Sequence, residues 1–201
     1  MYPSVIRFLL LSSFILLAAC ASTKVQQEKL PCNIPASFNW DTTTVYKASI
    51  SVMNKNFSGL IIFNRENDTD YRLIMTTDVG PKLIDITLTP KGYTKNFVMA
   101  QLDRKALLRM FWEDFGTMLG IFAKGKPGYS DLGTCCYPVS KNFTSCYITS
   151  DLKSFPLSAY FVQGNEKKTK INYFCAVGQQ PDSIRIEHLA LNMSYFLNKL
   201  N

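Results

Sequence analysis

What the 201 residues lack narrows the field first. There is one histidine, His188, and there are only two tryptophans. No stretch after residue 20 approaches the roughly 18 uninterrupted apolar residues that mark a membrane-spanning helix. No internal repeat recurs at a fixed period, and no low-complexity tract interrupts the chain. G-x-S-x-G, a Walker loop, H-E-x-x-H and an EF-hand loop are all missing, which removes the commonest hydrolase, nucleotide and calcium signatures. With one histidine and cysteine spacings that fit no zinc pattern, neither a metal nor a cofactor is expected. The basic residues behind the formal charge of +7 are scattered, the densest group being Lys167, Lys168 and Lys170 at an expected turn. A nucleic-acid surface needs clustered basic residues with exposed aromatics between them, so no nucleic-acid partner is expected. The charge fits a solvated or anionic-membrane-facing surface instead.

What is present begins at the N-terminus. Arg7 precedes the short apolar run Phe8 to Leu17, and Ala18 and Ala19 are small enough for a signal peptidase. A run of this length reads as a secretion signal over 1–19, being too short for a stable span. Leu17-Ala18-Ala19-Cys20 matches the bacterial lipobox, in which the cysteine sulfur receives the diacylglyceryl group. Cys20 is therefore the expected lipidation site, with palmitate or similar acyl chains burying about 0.8 kcal/mol per methylene in the bilayer. The expected address is the bacterial cell envelope, lipid-anchored at the outer membrane and facing the periplasm; Ala21 lacks the aspartate that marks inner-membrane retention in enteric bacteria. The polar stretch 20–40, broken by Pro31 and Pro35, reads as lipidated N-terminus and tether, and 41–201 as one domain. A hydrophobic fraction of 47% excludes a disordered chain.

Five cysteines remain besides Cys20, and export into an oxidising compartment makes pairing the expectation. A turn over Pro138 to Asn142 centres a hairpin that sets Cys135 opposite Cys146, with Cys136 one residue out of register. A Cys135–Cys146 disulfide is expected, contributing on the order of 3 kcal/mol in the chain-entropy treatment. Cys32 with Cys175 is a second pairing, and the odd count leaves one thiol over.

Along the domain, period-two alternation predicts strands over 45–53, 57–64, 71–77, 82–89 and 93–99, a five-strand antiparallel meander. The period then changes. Asp103 is placed to cap a helix running to about Phe122, with Leu107, Phe111, Phe115, Met118 and Phe122 in one stripe. Arg104, Lys105, Arg109, Glu113 and Asp114 are assigned to its wetter side, and Gly116 and Gly120 mark where it bends or breaks. An irregular loop over 123–133 leads to strands near 135–139, 143–149, 158–163, 169–177, 183–190 and 194–197. The expected architecture is α+β: one large curved antiparallel sheet of ten or eleven strands forming a half-open barrel, covered by one main helix.

Candidate chemistry is sparse. His188 shares a face with Ile184, Ile186 and an expected Ala190, where a hydrogen-bonded structural role is anticipated. Ser150-Asp151-Leu152-Lys153 satisfies S-x-x-K but stands at a strand end, without K-T-G or S-D-N. An envelope hydrolase built on Ser150 or His188 is one reading; no enzyme at all is the expectation. More unusual is the amount of apolar surface, with Leu60 and Ile62 apolar opposite the Phe57, Gly59, Ile61, Phe63 face. Flexible Met and flat Phe suit walls that meet acyl chains, while an ordinary filled core uses the same residues.

Phe57-Ser58-Gly59-Leu60-Ile61-Ile62-Phe63 resembles the F-x-G strand of the LolA/LolB superfamily of lipoprotein carriers and receptors. Tyr71-Arg72-Leu73-Ile74-Met75, Leu83-Ile84-Asp85-Ile86 and Pro181-Asp182-Ser183-Ile184-Arg185-Ile186-Glu187-His188 are similar to further strands of that family. The resemblance implies binding and release without catalysis, with lipoprotein acyl chains or lipid held in an apolar cavity during transport to the outer membrane. It implies lipid-binding residues Ile61, Phe63, Leu73, Met75, Ile84, Ile86, Leu107, Phe111, Phe115 and Met118, and a periplasmic carrier protein as partner. Pro31 and Pro35 depart from the family by leaving no room for a long N-terminal lid helix, and the cysteines near 135 are not part of its pattern. A structural or interaction lipoprotein with a filled core and no ligand is the alternative.

Overall fold

The computed structural model describes residues 30–32, 40–52, 55–131, 134–149, 156–175 and 180–200. The signal segment, Cys20, nearly all of the tether and the Ser150–Lys153 motif lie outside them. The elements are β1 (Leu30–Cys32), β2 (Thr43–Val52), β3 (Lys55–Arg65), β4 (Tyr71–Thr77), β5 (Lys82–Thr89) and β6 (Gly92–Val98). A 3-10 turn (Ala100–Leu102) leads to helix α1 (Lys105–Met118). There follow β7 (Gly128–Asp131), β8 (Thr134–Ser140), β9 (Phe143–Ile148), β10 (Ser158–Gln163), β11 (Glu166–Phe174), β12 (Ser183–His188) and β13 (Met193–Lys199).

All thirteen strands join one antiparallel sheet in the order β1-β7-β8-β9-β10-β11-β12-β13-β2-β3-β4-β5-β6, open at β1 and β6. This is the half-open, single-helix architecture that the alternation and the resemblance lead one to expect. Alternation decides which face is inside. Ile61 pairs with Met75, Phe63 with Leu73, Leu73 with Ile86 and Met75 with Ile84, so one set of apolar side chains lines the concave face. Their odd-even neighbours face out. The strand carrying Pro181-Asp182-Ser183 leads through β12 into β13, which pairs with β2 and joins the two halves of the sheet.

Register also orders the two rims. Thr76 pairs with Lys82, Ser140 with Phe143, Gln163 with Glu166 and His188 with Met193. The turns at 78–81, 141–142, 164–165 and 189–192 therefore share one rim with the Lys55 end of β3. The Met99 amide bonds the Leu83 carbonyl at 2.9 Å, so α1 starts at this rim too. The turns at 66–70 and 90–91 share the opposite rim.

Several expectations are corrected. Thirteen strands form rather than ten or eleven, because Leu30–Cys32, assigned to the tether, and Gly128–Asp131, assigned to a loop, pair with each other at the edge. Both are too short to show a period. The strand expected over 169–177 runs from Glu166 to Phe174, which places Lys167 and Lys168 in the strand rather than the turn.

α1 stops at Met118, not Phe122. Gly120 takes a left-handed φ of 71°, its amide bonds the Thr117 carbonyl at 3.1 Å, and the Ile121 amide bonds the Gly116 carbonyl at 3.0 Å. That pair of bonds is a Schellman end, which glycine adopts without a Cβ penalty. Asp103 does not cap: Arg104 is the N-cap, with no side-chain capping bond, and the Asp103 carboxylate takes Lys95 Nζ at 3.0 Å.

The disulfides differ from expectation as well. Cys136, not Cys135, bonds Cys146, and Cys135 bonds Cys32 rather than leaving it for Cys175. Two displacements combine. The turn lies at 141–142, later than the expected centre. Pro138 pairs with Thr144 but Ser140 with Phe143, so the extra residue Val139 takes back part of that displacement. Cys136 then stands opposite Cys146, and Cys135 faces the other side of β8, toward the core. Cys175 keeps a free, half-buried thiol.

Candidate apolar site beneath the helix

The concave face and α1 meet in a single apolar cluster. Ile61, Phe63, Leu73, Met75, Ile84, Ile86, Phe111, Phe115 and Met118 are buried in it, and Leu107 packs against it half-buried. All ten residues expected to line an apolar site are thus brought together. Aromatic rings knit helix to sheet: Phe115 lies 5.6 Å from Phe63 and 5.5 Å from Tyr195, and Phe111 lies 6.2 Å from Tyr195. Such separations are typical of tilted ring pairs, each worth about 0.5–1.5 kcal/mol beyond area burial.

The site is closed. Leu73, Ile86, Phe115 and Met118 have no accessible surface, so neither solvent nor a water-sized void touches them. The missed contributors to this closure are Trp40, Tyr46 and Tyr195, which are equally buried. The alternation around Tyr46 and Tyr195 carried that signal; Trp40, in the expected tether, gave none.

One glycine sets the spacing of the wall. Gly59 on β3 lies so close to β4 that a Cβ there would run into the Thr76 carbonyl. Only a residue without a side chain lets β3 and β4 approach at this point.

Two tyrosines hold the helix from the sheet. The last carbonyls of a helix have no intrahelical partner. Here Tyr147 on β9 donates its hydroxyl to the Thr117 carbonyl at 2.9 Å, and Tyr173 on β11 donates to the Met118 carbonyl at 2.9 Å. Ser145 donates in turn to the Tyr147 oxygen at 2.8 Å. Burial pushes both phenols up from their ordinary range, which keeps them protonated donors. At the helix middle, Trp112 Nε1 donates to the Thr89 carbonyl at 2.8 Å.

Among the described residues Asp114 is the one acid inside, and it corrects the expected wet side of α1. It is fully buried, with Thr169 Oγ1 donating to Oδ1 at 2.5 Å. Burial raises its carboxyl to about 7, Thr169 opposing and Glu113 adding to the rise. Outside the barrel, Asp85 shows the opposite case. Arg72 grips it through two bonds of 2.8 Å and Lys82 through one of 2.7 Å. The Arg72 guanidinium holds this carboxyl well below the usual carboxylate range.

His188 lies on the inner face of β12 with Ile184 and Ile186, half-buried; Ala190 is in the following turn. Ser150, its candidate partner in a hydrolase, is outside the described residues. On the outer face of the sheet, a groove of about 550 Å³ runs over the Cys136–Cys146 disulfide, with Tyr160 and Lys167 on its wall.

No family model matches the chain, and no curated protein matches it in sequence. Among solved structures it is similar to a DUF1329 family protein from Desulfovibrio piger, with 10% identity, a TM-score of 0.50 and 82% of this chain and 86% of that chain covered. It is also similar to a LolA superfamily protein from Nitrosomonas europaea, with 8% identity, a TM-score of 0.47 and 82% and 87% covered. The first likeness is one of fold.

Proposed function

We propose that the chain is a lipid-anchored envelope protein that shelters an acyl chain of a lipid or lipoprotein between α1 and the concave sheet face. The observation that carries this reading is the apolar cluster that Leu107, Phe111, Phe115 and Met118 of α1 form with the inner side chains of β3 to β5. Cys20 in its lipobox supplies the anchor, and the resemblance of the sequence to the LolA/LolB superfamily supplies the class of cargo. In this reading α1 is the movable wall. An acyl chain enters by displacing Phe111 and Phe115, and each methylene buried returns about 0.8 kcal/mol. No bond is made or broken in the cargo; binding and release at the outer membrane are the whole activity.

The full absence of accessible surface at Leu73, Ile86, Phe115 and Met118 favours a second reading, an interaction lipoprotein whose core is simply filled. One experiment separates them. The chain isolated from bacterial membranes is extracted with organic solvent and titrated with a fluorescent fatty acid. Acyl-chain sheltering gives co-extracted lipid and saturable binding that Phe111→Asp abolishes while the strand signal in circular dichroism persists. No lipid and no binding selects the filled core.

A further inference from the structure

The rim at which α1 begins differs from the opposite one in a way that the interior does not explain. Val79, in its 78–81 turn, is 88% exposed. Phe57, Phe97, Leu189 and Leu191 on the same rim are also exposed. Around these apolar tips stand the exposed Lys55, Lys82, Arg104, Lys105, Lys141 and Lys167.

The acids of this rim are already occupied. Asp78 accepts from Ser58, Asp103 from Lys95, Glu113 from Arg109, Glu166 from Lys168 and Glu187 from Arg185. Among the described residues, Lys55, Arg104, Lys105 and Lys141 form no ion pair. Arg104 and Lys105 also stand at the N-cap and first position of α1, with no acidic residue in the first turn. The positive end of the helix dipole repels them there. Two cations in that place are unfavourable to the isolated helix and become favourable once anions face them. The opposite rim exposes Leu157, Phe174 and Leu200, but there the cations Arg65, Lys91 and Lys199 are balanced by Asp41, Glu66, Asp68, Asp70 and Asp182.

We propose that the α1-start rim docks on an anionic phospholipid bilayer. The tips Val79, Leu189 and Leu191 enter the interfacial zone, and Lys55, Arg104, Lys105 and Lys141 meet headgroup phosphates. The tether permits it. Leu30 lies level with Tyr147, four residues of strand from this rim, which is about 13 Å. Ten extended residues from Cys20 to Leu30 span up to about 35 Å. The proposal rests on the anchored reading for this reach alone, not on acyl-chain sheltering.

The test uses the acylated full chain in phosphatidylcholine vesicles with and without phosphatidylglycerol. In a Cys175→Ser background, an environment-sensitive label is attached at Val79→Cys or Leu191→Cys on this rim, and at Asp68→Cys or Leu157→Cys on the other. The expected result is a blue shift, with quenching by spin-labelled lipid, at 79 and 191 only. It requires phosphatidylglycerol, fades at high salt and falls several-fold with Lys105→Glu plus Lys141→Glu. Quenching at 68 and 157 instead overturns the proposal, as does a water-like signal at all four positions in protein that floats with the vesicles. If mass spectrometry finds Cys20 unmodified, the anchored reading fails by itself. The unacylated chain is then sedimented with phosphatidylglycerol vesicles: binding weakened by the same double substitution supports the rim, and no binding overturns it.

Discussion

Thr169 on β11 gives its hydroxyl hydrogen to Asp114 on α1 across 2.5 Å, and among the described residues no hydrogen-bond partner meets the other oxygen of that carboxyl. A neutral acid is content in such a place; a carboxylate is not. The contact therefore ties the seating of the helix to a proton. Tyr195, packed against Phe111 and Phe115, feels the same group, its phenol being raised mainly by burial and further by Asp114.

Stability is expected to fall as pH rises from about 4 to about 7. The folded carboxyl sits near 7 against 3.8 for an ordinary aspartate, so the folded chain binds more protons than the unfolded one across that window. A shift of this size corresponds to about 4 kcal/mol. In urea titrations Asp114→Asn matches the wild type near pH 4 and exceeds it at pH 8 by up to that amount. Equal midpoints at pH 8 contradict the assignment.

The acid limb belongs to Asp85. Its carboxyl is lowered chiefly by Arg72, so its contribution is present above pH 4 and lost as pH falls below it. Asp85→Asn is expected to flatten the acid limb without touching the neutral one, read from thermal midpoints between pH 2 and pH 5.

Tyr173→Phe strands the buried Met118 carbonyl, which costs about 1–3 kcal/mol, while Tyr147→Phe leaves the Thr117 carbonyl its bond from the Gly120 amide and costs less. The damage is local to the end of α1. Hydrogen exchange of the amides from Phe115 to Ile121 is expected to speed up in both variants while the β3–β4 ladder keeps its protection. Uniform loss across the sheet argues instead for a general packing role.

Gly59→Ala drives a methyl into the Thr76 carbonyl, so β3 and β4 must separate. A loss of at least about 2 kcal/mol is expected from the overpacking, readable by chemical denaturation. The far milder behaviour of Gly125→Ala, at a site with open space and a left-handed φ of 66°, is the control.

The two disulfides differ in leverage. In the chain-entropy treatment, closing 103 residues through Cys32–Cys135 is worth about 4.7 kcal/mol, and closing 10 through Cys136–Cys146 about 3. Replacing each pair with serine is expected to lower the denaturation midpoint in that order. Peptide mapping that finds Cys135 joined to Cys146 overturns the pairing itself.

Strand alternation made most of this fold legible, because a half-buried strand writes its own inner and outer faces: Ile61, Phe63, Leu73 and Ile86 declare themselves. Met75 and Ile84 follow the same alternation, whereas Leu107, Phe111, Phe115 and Met118 were legible from the apolar stripe of the helix. Cys136 was not, since neither the later turn at 141–142 nor the bulge at Val139 leaves a trace in the hydrophobic period, yet together they decide which cysteine faces Cys146. Nor was Asp114: Lys105 and Arg109 on the same helix are exposed, and the Thr169 hydroxyl that meets Asp114 inside lies 55 residues further along the chain, beyond the reach of helical period. Leu30–Cys32 and Gly128–Asp131 were missed because three or four residues carry no period at all. Gly120 gave the right signal for a helix end, one turn earlier than the apolar stripe suggested.

The place of β13 has a kinetic consequence. Tyr195 pairs with Ile50, and the two are 145 residues apart. Until β13 arrives, the meander of β2 to β6 exposes the full-length edge of β2, and β7 to β12 exposes another at β12. Both are bare backbone ladders of the kind that recruit foreign strands. Closure through so distant a pairing is slow by loop entropy, placing the chain among late-committing folders. Whatever shields those two edges in the meantime, a holdase or simply speed of export, governs how much of the chain reaches its native state.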